Sequence, residues 1–197
     1  MDNKAKFVLL EGVDLSGKSS VVKHLVQKQP DWRHQHYSLV GENQILSIAR
    51  DIDKDGSEWI GFMYAKALER DLEHFEWPRY NTIQDSTILL RSLAYHSAAG
   101  YSRVTSELES LAQKHPRFSY AYVFTASMEV RRERLEERIR SGSKRVTAND
   151  LKVIQDPNFF ARMEDALVDY AKNLFGAVVI DTSRLSVEEV AGCVVVE

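Results

Sequence analysis

Apolar residues in this chain follow two rhythms that take turns. The first is a short, nearly unbroken run. Lys6 to Leu10 reads as a strand buried on both faces. His36 to Val40, Tyr80 to Gln84 (ending at Asp85), the aromatic and β-branched Ser119 to Thr125, and Ala177 to Ile180 read as further strands. The second rhythm has helical spacing. It runs through Ser19 to Lys28, through Ser57 to Trp77 with Pro78 just beyond, through Thr87 to Ala99 before Gly100, and through Ser102 to Lys114 before His115-Pro116. Glu129 to Arg140 is a highly charged helix closed by Ser141-Gly142-Ser143. Asp156-Pro157 opens the next helix as cap and first residue, and Gly176 closes it. Ser186 with Glu189 makes a capping box for a last helix. Alternating strands and helices predict a parallel sheet covered on both faces, an α/β three-layer sandwich.

Between the first strand and first helix lies Gly12-Val13-Asp14-Leu15-Ser16-Gly17-Lys18-Ser19, which fits the phosphate-binding pattern G-x-x-x-x-G-K-[ST]. The glycines let backbone N–H groups turn inward onto phosphate oxygens. Lys18 brings a mobile charge to the β- and γ-phosphates, and Ser19 offers a hydroxyl to Mg²⁺. The following helix adds partial positive charge at its N-terminus. A chance match in a chain of this length has a probability on the order of 1%.

Composition adds bounds. The 197 residues suffice for one substantial core, so a single domain over 1–197 is expected. A net charge of −3 gives no general signal for nucleic acid or membrane. The single cysteine, Cys193, excludes an internal disulfide and fits a reducing compartment; its apolar neighbours predict a buried thiol. With no leader-like segment and no stretch long enough to span a bilayer, a cytoplasmic location is expected.

The stretch from Glu11 to Ser20 resembles the opening of thymidylate kinases and their relatives among nucleotide kinases. Other segments agree in order and spacing. Tyr64-Ala65-Lys66-Ala67-Leu68-Glu69-Arg70 resembles the helix that brings an arginine to the acceptor, and Asp85 followed by Arg91-Ser92-Leu93-Ala94-Tyr95-His96 resembles the Asp-Arg-Tyr segment and its continuation. Ile180-Asp181-Thr182-Ser183 is similar to the last strand and adenine-flanking loop. The resemblance implies a mostly five-stranded parallel sheet with a mobile lid over about 139–156 and ATP with Mg²⁺ as cofactors. It also implies a small-molecule acceptor and pairing into a homodimer. On the donor side it implies Gly12, Ser16, Gly17, Lys18, Ser19, Ser20, Arg134, Arg138 and Thr182; on the acceptor side, Asp14, Glu42, Arg70, Arg91 and Tyr95.

Some of these residues also carry other readings. Asp85, where a strand meets a helix, can serve Mg²⁺ or the attacking oxygen, or cap the helix. Asp14 can face the acceptor or stabilise its own turn, and Glu42 can be an acceptor-site carboxylate or a surface residue. Arg131, Arg134 and Arg138 share one helical face; with Glu133 and Glu137 among them, most of that cluster reads as a solvated helix of Glu–Arg pairs.

Members of the resembling family carry a transition-state arginine either within the loop, where this chain has Leu15, or on the lid. Leu15 leaves Arg140, Lys144 and Arg145 as the lid candidates. The family's Asp-Arg-Tyr is Asp85-Ser86-Thr87 here, so the arginine that grips a phosphate on the acceptor is missing, with Arg70, Arg79 or Arg91 as replacements.

Two patterns lead nowhere. Asp51 to Gly56 matches half a calcium loop but has Phe62 at the twelfth position, and reads as a solvated loop. His34 and His36 lack partners at metal spacing and read as loop residues. The expected function is transfer of the γ-phosphate of ATP to a nucleotide or nucleoside. The alternatives are a kinase for another hydroxyl or phosphate metabolite, and a slow nucleotide-dependent switch.

Overall fold

The computed structural model describes residues 5–53, 56–142 and 146–194. Its elements in chain order are β1 (Phe7–Glu11), α1 (Lys18–Lys28), β2 (Arg33–Tyr37), α2 (Gln44–Ile52), α3 (Glu58–His74), β3 (Thr82–Thr87), α4 (Ile88–Ala98) and α5 (Ser102–Ala112). They continue with β4 (Tyr120–Thr125), α6 (Met128–Arg140), α7 (Ala148–Gln155), α8 (Pro157–Phe175), β5 (Val178–Asp181) and α9 (Val187–Cys193). All described strand pairs are parallel, in the order β2-β3-β1-β4-β5.

Alternation along β1 divides the core. Val8 and Leu10 join Val21, Leu25, Ile83, Phe124 and Val190 under α1 and α9. Leu9 faces the other way, onto Leu90, Val123, Met163 and Leu167 under α4 and α8. A third cluster of Leu68, Leu89, Leu93, Val104 and Leu108 joins α3, α4 and α5. The three-layer expectation therefore holds. The connection leaving β1 runs to β2 on one side of it and the connection leaving β3 runs to β4 on the other, so a crevice opens at the C-terminal ends of these two central strands.

Expected caps are present. The Ser186/Glu189 capping box forms, Asp156 accepts from Phe159 N ahead of Pro157, and Gly176 ends α8 at φ 64°. Three expectations fail. The second strand begins at Arg33 and ends at Tyr37 rather than running from His36 to Val40. It is an edge strand of sequence RHQHY, so it lacks an apolar run, and Tyr37 (φ 68°) turns the chain out of the sheet. Helices α2 and α7 were not anticipated; α2 is started by Asn43 accepting from Leu46 N, and α7 by a Thr147/Asp150 capping box. Cys193 is exposed rather than buried, because α9 turns that position outward while Val190, Ala191 and Val194 face the core.

One buried carboxylate fixes the segment after β2. Asp71 on α3 accepts from Ser38 Oγ (2.8 Å), Leu39 N (2.5 Å) and Asn43 Nδ2 (2.6 Å). Burial pushes its pKa up despite these donors. Among the described residues no helix is long and apolar enough to cross a membrane.

Candidate active site

The loop after β1 is held from outside by its carbonyls. Gly12 O accepts from Arg91 Nη1 (3.0 Å), Asp14 O from Arg131 Nη1 (3.2 Å), Leu15 O from Arg134 Nη1 (2.9 Å) and Ser16 O from Thr182 Oγ1 (2.8 Å). Val13 O accepts from Ser16 N at 3.2 Å. A trans peptide points its C=O and the next N–H in opposite directions. Carbonyls tied outward at 12, 14 and 16 therefore turn the N–H groups of 13, 15 and 17 inward. The result is a concave set of donors, the arrangement that binds phosphate.

The fixed residues fit this geometry. A Cβ on Gly12 would lie 2.7 Å from both Phe124 O and Ser16 Oγ, so no side chain fits. Gly17 has φ 88° and leads directly into α1 without a capping side chain. Leu15, at φ 64°, is 3% exposed and lies in the core. Its packing in the core anchors the loop to the protein.

Glu11, the last residue of β1, is fully buried. It accepts from Gly12 N (3.0 Å) and Ser86 Oγ (2.9 Å) on one oxygen and from Thr87 N (3.0 Å) on the other, tying the loop to the β3–α4 junction. Lys18 Nζ donates to Asp85 Oδ1 and to Ser86 Oγ (2.6 Å). Asp85 lies inside β3, and Thr87 caps α4, which removes the helix-cap reading of Asp85. Burial pushes the Asp85 carboxyl up, but the neighbouring His34 and His36 rings and the Lys18 charge outweigh it and hold the pKa well below the carboxylate range. Ser86 takes a left-handed conformation at φ 64° and so carries its hydroxyl between Lys18 and Glu11.

Lys18 and Ser86 line a cleft of about 1290 Å³, with Glu11 and Asp85 behind them. One half is the phosphate loop from Gly12 to Ser20, with Arg134 and Arg138. The other half is lined by Tyr37, Arg50, Tyr64, Arg91, Tyr95, Phe159 and Phe160. Arg50 stacks 4.4 Å from the Tyr37 ring centre, and Tyr95 meets Phe159 edge-on at 5.2 Å. Tyr64 donates to Asp53 (2.9 Å) beneath them. A Cβ on Gly56 would run into the Tyr95 hydroxyl, so glycine here makes room for that ring. This aromatic half with one stacked cation suits a flat, polar ring compound. Gly56 and Asp53 thus help build the wall of the cleft, rather than a loop that is merely solvated.

The sequence-derived residues divide. Gly12, Asp14, Ser16, Gly17, Lys18, Ser19, Ser20, Arg91, Tyr95, Arg134 and Arg138 line the cleft. Asp85 lies just behind Lys18. Asp14 is paired with Arg91 (3.0 Å); burial alone would raise its pKa, but the Arg91 charge lowers it. Thr182 sits behind the loop, 2% exposed, where it takes a bond from Arg134 and gives one to Ser16 O. Glu42, Arg70 and Arg79 are exposed and do not line the cleft, nor does the exposed Arg140. Lys144 and Arg145 lie outside the described residues.

Two further corrections concern charge. Arg131 is 2% exposed and paired with Glu164, Arg134 holds the loop, and Arg138 meets Asp150 at 2.9 Å. This face of α6 is a clamp on the phosphate loop, not a solvated row of Glu–Arg pairs. His34 and His36 lie on β2 beside Asp85, not in a loop without partners. Sequence reasoning also missed Glu11 and Arg50. Glu11 carries a signal only as a carboxylate ending a buried strand, and Arg50 has none.

Solved structures share this fold. A thymidylate kinase from Candida albicans superposes with a TM-score of 0.69 at 14% identity, covering 96% of this chain and 89% of that one. A deoxyadenosine kinase from M. mycoides, solved with dCMP and dCDP bound, gives 0.62 at 16% identity and 95% coverage of each chain. A thymidylate kinase from Ehrlichia chaffeensis gives 0.58 at 16% identity, again covering 95% of each. No protein-family model matches the chain. No curated protein matches it in sequence. At these identities the likeness shows the fold alone.

Proposed function

We propose that this protein is a phosphotransferase that moves the γ-phosphate of ATP to a nucleotide or nucleoside. The observation that carries the reading is one cleft with two unlike halves. A phosphate loop with four carbonyls, those of Gly12, Asp14, Leu15 and Ser16, tied outward meets an aromatic half, with Lys18 at the junction and Asp85 behind it. The thymidylate and deoxyadenosine kinases of the same fold support it.

On the donor side the inward N–H groups and Lys18 receive phosphate oxygens. Mg²⁺ fits the exposed Ser19 hydroxyl and the ionised Asp85, both oxygen donors suited to a hard ion, and when bound it neutralises phosphate charge. Lys18 leans on Asp85 and Ser86 here; a bound phosphate gives its ammonium a competing anion. On the acceptor side the Tyr95 and Phe159 rings border the base, and Asp14 faces the sugar. Arg91 is engaged by Asp14 and Gly12 O, and Arg50, stacked over Tyr37 in the aromatic half, is the cation for a phosphate already on the acceptor. Residues 139–156 act as the lid, with Arg138 at its base and Arg140 or Arg145 supplying charge on closure.

The test is ADP release from ATP and Mg²⁺ across nucleosides and nucleoside monophosphates. Acceptor-dependent turnover by one class, lost in Lys18→Ala, is the expected result. ATP-analogue binding with no acceptor in that panel stimulating turnover would sink the proposal. Arg50→Ala raising KM for a monophosphate more than for the nucleoside assigns the acceptor grip.

A further inference from the structure

Two histidines given no role above converge on Asp85 at the edge of the sheet. His34 and His36 are two apart on β2, so their rings stand on one face of the sheet. His36 is in register with Asp85 on β3. His34 Nε2 lies 3.5 Å and His36 Nδ1 3.3 Å from the same oxygen, Asp85 Oδ2. All three donor atoms lie within 4.8 Å of one another.

These distances are long for N–H···O hydrogen bonds, which cluster around 2.9–3.0 Å. They match another geometry. Bonds of roughly 2.0–2.1 Å from a tetrahedral ion put neighbouring donor atoms about 3.3–3.4 Å apart. The carboxylate also divides its work. Oδ1 accepts from Lys18, while Oδ2 faces the imidazoles, so an ion on Oδ2 leaves the lysine contact in place. Asp85 is 8% exposed and the two rings are 40% and 50% exposed. The carboxylate is a fixed anchor, and the rings are open to an ion arriving from solvent, with a fourth position left for water.

We infer that His34, His36 and Asp85 form a binding site for a divalent transition ion of the Zn²⁺, Co²⁺ or Ni²⁺ class. Two imidazoles with one carboxylate oxygen suit such borderline ions. Mg²⁺ prefers oxygen donors alone, so it can use Asp85 but gains nothing from the two imidazoles that select a borderline ion here. An ion here reaches the cleft through Asp85 and Lys18, joining β2 to the phosphate loop. The inference rests on the donor atoms and holds whatever the cleft transfers.

Co²⁺ is the probe, because its visible absorption reports nitrogen ligation directly. The chelator-stripped full chain, titrated in excess Mg²⁺, is expected to take up one equivalent of Co²⁺ with the bands of a four-coordinate site, and Zn²⁺ should displace it. His34→Ala and His36→Ala should each weaken uptake by at least about tenfold, since even residues behind the ligands cost that much. His24→Ala serves as control, because His24 lies beside Glu188 instead (3.7 Å). Both test rings are solvent-exposed, so the variants should keep the wild-type unfolding midpoint without metal. Absence of uptake at submillimolar Co²⁺, uptake unchanged in the His34→Ala/His36→Ala double variant, or loss of Co²⁺ to Mg²⁺ overturns the site.

Discussion

At the scale of single residues, His115 couples stability to pH. Its ring is 6% exposed, sits against Phe118 and Phe175, and has no partner for Nε2. Burial lowers its pKa from 6.5 to about 4. Below the unfolded value the unfolded chain takes up a proton that the folded chain refuses, so stability falls as pH drops through this window. It is whole above 6.5 and has finished falling below about 4. The loss is on the order of 3 kcal/mol. His115→Phe should flatten this dependence, read as urea midpoints at neutral pH and near about pH 5. An unchanged slope in the variant refutes the assignment. The same residue scale shows where sequence reading succeeds and stops. Gly12, Gly17, Lys18 and Ser19 were legible because local backbone geometry demands them at fixed spacing. Arg131 and Glu11 were not, since their partners lie far along the chain, at Asp14 and Glu164 for one and at Ser86 and Thr87 for the other.

At the scale of elements, two helical glycines predict opposite responses. Alanine is favoured over glycine in a helix by about 1 kcal/mol. Gly192 in α9 has open space where a Cβ would go, so Gly192→Ala should raise stability by up to about that amount. Gly61 in α3 is different: a Cβ there would meet His96 Nε2 and Val104 Cγ1, each at 2.6 Å. Overpacking of that kind costs about 1–3 kcal/mol and outweighs the helix gain. Gly61→Ala should therefore lower the denaturation midpoint, and a rise would show that α3 can shift away from α4 and α5. Helix α3 is legible from its apolar spacing, and α8 from its end signals at Asp156-Pro157 and Gly176. Edge strand β2 and short helix α7 are not. An edge strand needs no apolar run, and a helix of eight residues gives too few turns for a pattern to emerge.

At the scale of the whole molecule, the cleft depends on α6 holding a loop more than a hundred residues earlier in the chain. Arg134 bonds both Leu15 O and Thr182 O (2.9 Å each), so it joins the loop to the segment after β5. An ATP analogue at a hundred times its Kd should stabilise the protein by about 2.7 kcal/mol, raising Tm by roughly 5–10 °C. Arg134→Ala should weaken the analogue about tenfold and remove about 1.4 kcal/mol of that gain at the same concentration. A full thermal shift in the variant would mean that the loop keeps its shape without the clamp. Periodicity and local backbone sterics are enough to give the alternation of strands and helices, the parallel sheet and the phosphate loop. Which charges matter depends on how the elements pack in the folded chain. Of the arginines along α6, this packing turned Arg131 and Arg134 inward onto the loop and Arg138 onto Asp150, and left Arg140 in solvent. It also put two edge-strand histidines beside Asp85. A side chain's electrostatic role depends on what lies within a few ångströms of it, and distant segments of the chain supply those neighbours.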